Sequence, residues 1–121
     1  MWAKNDHMTV TIWHNPKCAT SRNALAMIRA SGIEPVIVEY LVNVPSAVNL
    51  AKAAAAIGGA RALLRIKGTP AEARGLTDDV TDAAILAAMA KEPILIERPM
   101  VFGPKGAVLA RPAAKVLSVL G

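Results

Sequence analysis

The chain holds one cysteine, Cys18, in the segment His14-Asn15-Pro16-Lys17-Cys18-Ala19-Thr20-Ser21-Arg22-Asn23. The thiolate, not the thiol, is the nucleophile, so what surrounds Cys18 decides its use. The segment passes from a strand-like stretch into a helical one, which puts Cys18 just ahead of a helix N-terminus, where unpaired backbone N–H groups and the helix dipole favour negative charge. Thiols so placed can have pKa values lowered to roughly 3.5–7.5. Lys17 and Arg22 add positive charge, and the hydroxyls of Thr20 and Ser21 can donate to a sulfur anion or to a bound oxyanion. On these residues alone two readings stand. Cys18 is either a nucleophile or a small buried apolar side chain beside hydroxyls that cap a helix. Asn15 and Pro16 read as loop geometry rather than as reactants. With no second cysteine, the chain can form no internal disulfide.

The elements around the loop follow from hydrophobic pattern and breakers. Thr9 to Trp13 alternates with β-branched residues and reads as a strand, and from Ser21 the spacing of Leu25, Met27 and Ile28 predicts a helix that stops at Ser31-Gly32. Pro35 to Leu41 reads as a second strand, and a strand, helix, strand unit of this length implies parallel pairing with a right-handed crossover. Ser46 suits the N-cap of a helix through Ile57, ended by Gly58-Gly59. Ala60 to Ile66 reads as a further short helix, and Thr81-Asp82 precedes an Ala-rich helix that ends before Pro93, so the middle third is expected to be helical throughout. Ile94 to Ile96, Met100 to Phe102 and Ala107 to Leu109 read as strands. The turn Gly103-Pro104-Lys105-Gly106 joins the last two into an antiparallel hairpin, and Pro112 opens a helix to about Leu120. The order is βαβ, a helical insertion, then ββα: an α/β chain with a thioredoxin-like mixed sheet and extra helices between its halves.

The 121 residues suit a single domain over 1–121, with Met1 to His7 as a flexible N-terminal extension. Hydrophobic residues at 54%, charged residues at 19% and a mean hydropathy of +0.38 supply ample apolar material and exclude intrinsic disorder. Aromatics at 3% add little, so the core must rest on Val, Ile and Leu with close Ala packing. No membrane partner is expected, because the longest apolar run, Val44 to Ala60, carries Asn49, Lys52 and a Gly pair. The N-terminus has no apolar signal core, and a cytoplasmic location is expected. A net charge of +5 and a pI near 9.8 favour an anionic partner. Basic residues are dispersed and aromatics few, which speaks against nucleic acid. No His/Cys cluster or Gly-rich phosphate loop calls for a metal or nucleotide, so no bound cofactor is expected.

The string HNPKCATSRN, together with RALLR at Arg61 to Arg65, PILIERP at Pro93 to Pro99 and the Arg111-Pro112 pair, resembles the glutaredoxin-coupled arsenate reductases from about Thr9 to Leu120. In that family the cysteine of the H-N-P-x-C-x-x-S-R loop is the nucleophile. Arginines at the end of an R-x-L-L-R helix, in an x-R-P segment and in a later R-P pair bind the oxyanion. The resemblance thus assigns Cys18 as nucleophile and Arg65, Arg98 and Arg111 as ligands of arsenate or a similar oxyanion. It also implies that His14 tunes the thiol or orients the loop, that Ser21 donates a hydrogen bond to the thiolate, and that Pro99 occupies the cis-proline position of the thioredoxin fold. Guanidinium forks suit a tetrahedral oxyanion and reduce the repulsion a thiolate meets on approaching it.

The implied chemistry is attack of Cys18 on arsenic with loss of water, then attack of glutathione as co-substrate on the adduct. Glutaredoxin then reduces the mixed disulfide, releasing arsenite and restoring Cys18. Two other readings belong to the same fold. One is a regulator like Spx that binds RNA polymerase, against which Ser21, standing where those proteins resemble a second cysteine, and the full arginine set both speak. The other is a glutathione-dependent thiol oxidoreductase with a different substrate.

Overall fold

The computed structural model describes residues 9–121, so the extension expected over Met1 to His7 lies outside the described residues. Two compact units emerge: residues up to 43 together with 98–121, and residues 44–97.

In the first unit, β1 (Thr11–Trp13), α1 (Ala19–Ala30), β2 (Val36–Val38), β3 (Met100–Gly103) and β4 (Gly106–Leu109) are followed by a 3-10 helix over Ala113–Ser118. The four strands form one sheet in the order β2-β1-β3-β4, with β1 and β2 parallel and the other pairs antiparallel. This is the mixed sheet expected. Alternation along the strands sends Ile12 and Val101, which are register partners, to one face. There they join Ala24, Leu25 and Ile28 of α1 and Val116 and Val119 of the C-terminal segment in an apolar cluster. The i, i+3, i+4, i+7 spacing of Ser21, Ala24, Leu25 and Ile28 is what buries one stripe of α1.

Boundaries differ from expectation where hydrogen bonds compete. Helix α1 starts at Ala19, not Ser21, because Cys18 takes the N-cap position and its carbonyl accepts from Arg22 N–H at 2.9 Å. Strand β2 spans only Val36–Val38 instead of Pro35 to Leu41: its partner β1 leaves the ladder after His14 N–H donates to the Val38 carbonyl. Beyond that point the Glu39 carbonyl accepts from Val42 and Asn43 N–H at 3.0 and 2.8 Å and turns the chain. The hairpin forms as expected, with Gly103 opposite Gly106. Gly103 is required by packing, since a Cβ there would run into the Val119 carbonyl. The final helix is 3-10 rather than α, held by bonds such as Lys115 N–H to the Pro112 carbonyl, a form common in short helical pieces. The Arg98-Pro99 and Arg111-Pro112 bonds are both cis.

The second unit is built on α2 (Ala47–Ala56), α3 (Ala60–Leu63) and α4 (Asp82–Lys91). Ser46 Oγ accepts from Asn49 N–H and Thr81 Oγ1 from Ala84 N–H, each at 3.1 Å, so two hydroxyls fix two helix starts. Leu50, Ala53, Ala60, Leu63, Ile85 and Met89 are buried at the contacts among these helices, where alanine allows close approach. Two expectations fail here for one reason. The Ala60 to Ile66 helix ends at Leu63, because Leu64 leaves it to bridge Ile96. Ile94 to Ile96 is not a strand: Pro93 opens a 3-10 turn over Pro93–Leu95, and only Ile96 reaches Leu64. Nor is the middle third helical throughout. Residues 66–80 run as turns, held by the Arg61 guanidinium donating to the Leu76, Asp78 and Val80 carbonyls.

Candidate active site

The sheet register gathers the candidate residues of the first unit. Trp13 ends β1 and pairs with Met100, which begins β3 and pairs in turn with Leu109, which ends β4. Three chain segments therefore leave one edge of the sheet side by side: the loop from His14 to Cys18, the residues Arg98-Pro99 and the residues Ala110-Arg111.

In the loop, Cys18 N–H donates to the Asn15 carbonyl at 3.0 Å, Lys17 N–H to Asn15 Oδ1 at 3.0 Å, and Arg22 Nη1 to the Pro16 carbonyl at 3.0 Å. These bonds curl residues 15–18 into the helix start and leave the Cys18 side chain partly exposed. Arg111 Nη1 lies 3.9 Å from Cys18 Sγ and donates to the Arg98 carbonyl at 3.0 Å. Burial pushes the Cys18 thiol up. Hydrogen bonds from the Arg98 guanidinium, the Ser21 backbone N–H and the Arg111 guanidinium, with the charge of Arg98, more than offset it and bring the pKa to about 7. About half of the cysteine is then thiolate at neutral pH, which favours the nucleophilic reading over the inert one.

His14 and Ser21 are both buried, with His14 Nδ1 and Ser21 Oγ 2.6 Å apart. The same Oγ accepts from Asn15 N–H at 3.1 Å. Burial holds the His14 pKa below its ordinary value, with the charges of Arg29 and Arg22 adding to that effect and Glu39 opposing it. His14 Nδ1 and Ser21 Oγ thus share one short hydrogen bond, whose direction follows the imidazole tautomer. The resemblance implies a hydrogen bond from Ser21 to the thiolate; the backbone N–H of Ser21 is placed to give one, while its hydroxyl joins His14 to the loop backbone.

Arg65 belongs to the second unit. Its backbone N–H donates to the Leu95 carbonyl at 2.8 Å, its carbonyl accepts from Thr69 Oγ1 at 2.8 Å, and its Nη1 lies 2.8 Å from Glu97 Oε1. Sequence reading did not single out Glu97. Its signal is available in hindsight: it stands immediately before Arg98 in PILIERP, at odd spacing for a solvated charge between a buried Ile96 and the site. Among the described residues no group of His, Cys, Asp and Glu is placed to hold a metal ion, and no helix is long and apolar enough to cross a membrane.

The model of the ArsC family matches residues 13–119. The chain belongs to the ArsC family. An arsenate reductase of Rhizobium meliloti is 53% identical over 115 residues, covering 93% of this chain and 82% of that protein. One from Escherichia coli is 50% identical over 113 residues, covering 92% and 80%. The solved arsenate reductase from Vibrio cholerae superposes with a TM-score of 0.88 at 39% identity, covering 95% of this chain and all of that one. The thioredoxin-like architecture of this ArsC-family chain is thus the one its relatives share, and the match takes in Cys18, Arg65, Arg98 and Arg111 together.

Proposed function

We propose that this ArsC-family chain reduces arsenate to arsenite with glutathione and glutaredoxin, through a covalent cysteine–arsenic intermediate on Cys18. The observation that carries the reading is the Cys18 thiol, held near a pKa of about 7 by the Arg98 and Arg111 guanidiniums and the Ser21 N–H. The donors that stabilise a sulfur anion are also those an oxyanion bonded to that sulfur requires. Cys18 Sγ attacks arsenic(V), an arsenate oxygen takes up protons and leaves as water, and Arg98, Arg111 and Arg65 carry the remaining oxyanion charge. The glutathione thiolate attacks Cys18 Sγ, the S–As bond breaks with its electron pair passing to arsenic, arsenite leaves, and glutaredoxin reduces the Cys18–glutathione mixed disulfide that remains. Two thiols give up one electron each, arsenic(V) becomes arsenic(III), and the thiol of Cys18 is restored. With one cysteine in the chain, the resolving thiol comes from outside. The reaction belongs in the cytoplasm, where glutathione is abundant and reduced, and serves arsenic detoxification.

The test is arsenite production from arsenate with the purified chain, glutathione, glutaredoxin and glutathione reductase, each thiol component omitted in turn. Turnover that needs Cys18, glutathione and glutaredoxin supports the whole reading. Turnover with another thiol donor in their place would keep the reductase and overturn the coupling, and turnover by Cys18→Ser would overturn the mechanism.

A further inference from the structure

Two peptide planes lead into Cys18, and both are pinned. The Lys17–Cys18 plane is held by Cys18 N–H, which donates to the Asn15 carbonyl at 3.0 Å. The Pro16–Lys17 plane is held at opposite ends by two side chains: Arg22 Nη1 donates to the Pro16 carbonyl at 3.0 Å, and Lys17 N–H donates to Asn15 Oδ1 at 3.0 Å. Each anchor is itself fixed. Arg22 stands in the first turn of α1, where its N–H donates to the Cys18 carbonyl at 2.9 Å, and Asn15 N–H donates to Oγ of the buried Ser21 at 3.1 Å. Pro16 and Lys17 are exposed, so water could satisfy both ends of the plane. Ordering a long arginine for one of them costs rotamer freedom, and what that order provides is a fixed backbone. All of these residues belong to one unit, together with Arg98 and Arg111.

We propose that Arg22 and Asn15 are positioning residues for the nucleophile: they clamp the Pro16–Lys17 peptide from its two ends and so hold Cys18 Sγ where the Arg98 and Arg111 guanidiniums and the Ser21 N–H donate to it. The guanidiniums come from other chain segments, so their bonds depend on where the loop sets the sulfur. The Arg111 contact is already long at 3.9 Å. A loosened loop would lengthen these bonds for part of the time, and the thiolate would lose part of its support. The proposal deepens the function proposed above; it rests on Cys18 as the reacting thiol and not on the identity of the oxyanion. The rival explanation is that Arg22 acts through its charge alone, as it does on His14. Asn15 carries no charge, and that separates the two.

The experiment is the pH profile of alkylation of the full chain by iodoacetamide, for wild type, Arg22→Met, Asn15→Ala and the double variant. Each single variant is expected to slow alkylation at pH 7 by about twofold to threefold and to displace the midpoint to higher pH, while the rate at pH 10, where the thiol is ionised in all of them, stays within about twofold of wild type. Either loss frees the same peptide, so the double variant should be slowed by less than the product of the singles. The Arg22→Met displacement should persist in molar salt, where the screening length falls to about 3 Å. Circular dichroism and melting of each variant separate a loosened loop from a lost fold. Asn15→Ser, whose hydroxyl takes the same turn more weakly, replaces Asn15→Ala if that variant does not fold and should give a smaller displacement of the same sign. A folded Asn15→Ala with the wild-type midpoint, an Arg22→Met displacement that vanishes in molar salt, or a double variant equal to the product of the singles overturns the proposal. A wild-type midpoint near the ordinary 9.0 overturns it as well, since no activation would then need holding. The expected midpoints without arsenite production in the coupled assay would leave the clamp standing and overturn the arsenate reading alone.

Discussion

Replacing Arg98 with alanine should raise the Cys18 pKa and slow alkylation of the thiol at neutral pH. The size follows from the contacts. The ordinary thiol value of 9.0 leaves about one cysteine in a hundred ionised at pH 7, whereas the pKa of about 7 leaves about half, a span of roughly fiftyfold in reactive anion. Burial raises the thiol pKa, so the lowering comes from three donors, and they are unequal. Arg98 acts both by hydrogen bond and by charge, Arg111 by a hydrogen bond over a long 3.9 Å, and the Ser21 N–H is backbone and survives either substitution. Arg98→Ala should therefore remove most of the effect, slowing alkylation at pH 7 by about tenfold, and Arg111→Ala by about threefold. The assay is the rate of reaction with iodoacetamide, an uncharged reagent, between pH 5 and 10. Because only the anion reacts, the rate climbs through the pKa, with a wild-type midpoint near 7 and the variants displaced to higher pH. Arg29→Ala, an exposed residue paired with Glu34, serves as the control and should leave the midpoint alone. An Arg98→Ala midpoint equal to wild type, or a larger displacement for Arg111→Ala, would refute the assignment of the thiolate to the arginine donors.

Other outcomes follow from single contacts. Cys18→Ser should abolish arsenite production in the coupled assay while melting within a few degrees of wild type, since the side chain is partly exposed and the hydroxyl is similar in size. Ser21→Ala leaves His14 Nδ1 and the Asn15 N–H without their partner and should cost about 1–3 kcal/mol in urea unfolding. His14 has a pKa below the ordinary 6.5, so the unfolded chain takes up its proton first and stability should fall as pH drops from about 6.5 toward the lowered native value. A His14→Asn variant should flatten that part of the stability profile. Gly103→Ala forces the hairpin away from the Val119 carbonyl and should lower stability by about 1–3 kcal/mol, checked by thermal melting.

Much of the architecture was legible from short-range chemistry. Ser46 and Thr81 announced helix starts because a hydroxyl at the N-cap satisfies a backbone donor locally, and the Gly-Pro-Lys-Gly turn announced the hairpin. What failed was whatever depended on a distant partner. Leu64 and Ile96 have patterns that fit a helix and a strand, and each gives up its local choice to form one bridge across thirty-two positions of sequence. Strand β2 stops at Val38 because β1 stops, which residues 39–41 do not encode. In the site, Cys18 was legible through its helix start and neighbouring charges. The three arginines were legible only through resemblance, since nothing local to Arg65, Arg98 or Arg111 distinguishes them from solvated cations. The same limit applies to Ser21, whose hydroxyl turns to His14, and to Glu97, whose partner is set by a backbone register.

That dependence on register explains how a thiol in so short a chain comes to ionise near neutral pH. Cys18 alone, at a helix start but partly desolvated, would ionise reluctantly. Its activation requires guanidiniums from positions 98 and 111, and both are delivered by the row of paired residues Trp13, Met100 and Leu109. A slip of one residue in the β3–β4 ladder would shift Arg111 along the sheet and reverse the facing of every β4 side chain. The tight glycine-bounded turn and the close approach of Gly103 to the Val119 carbonyl both oppose such a slip. The hairpin turn therefore helps set the ionisation of a thiol more than eighty positions away, and lengthening that turn by one residue should raise the Cys18 pKa even though no residue of the site has changed.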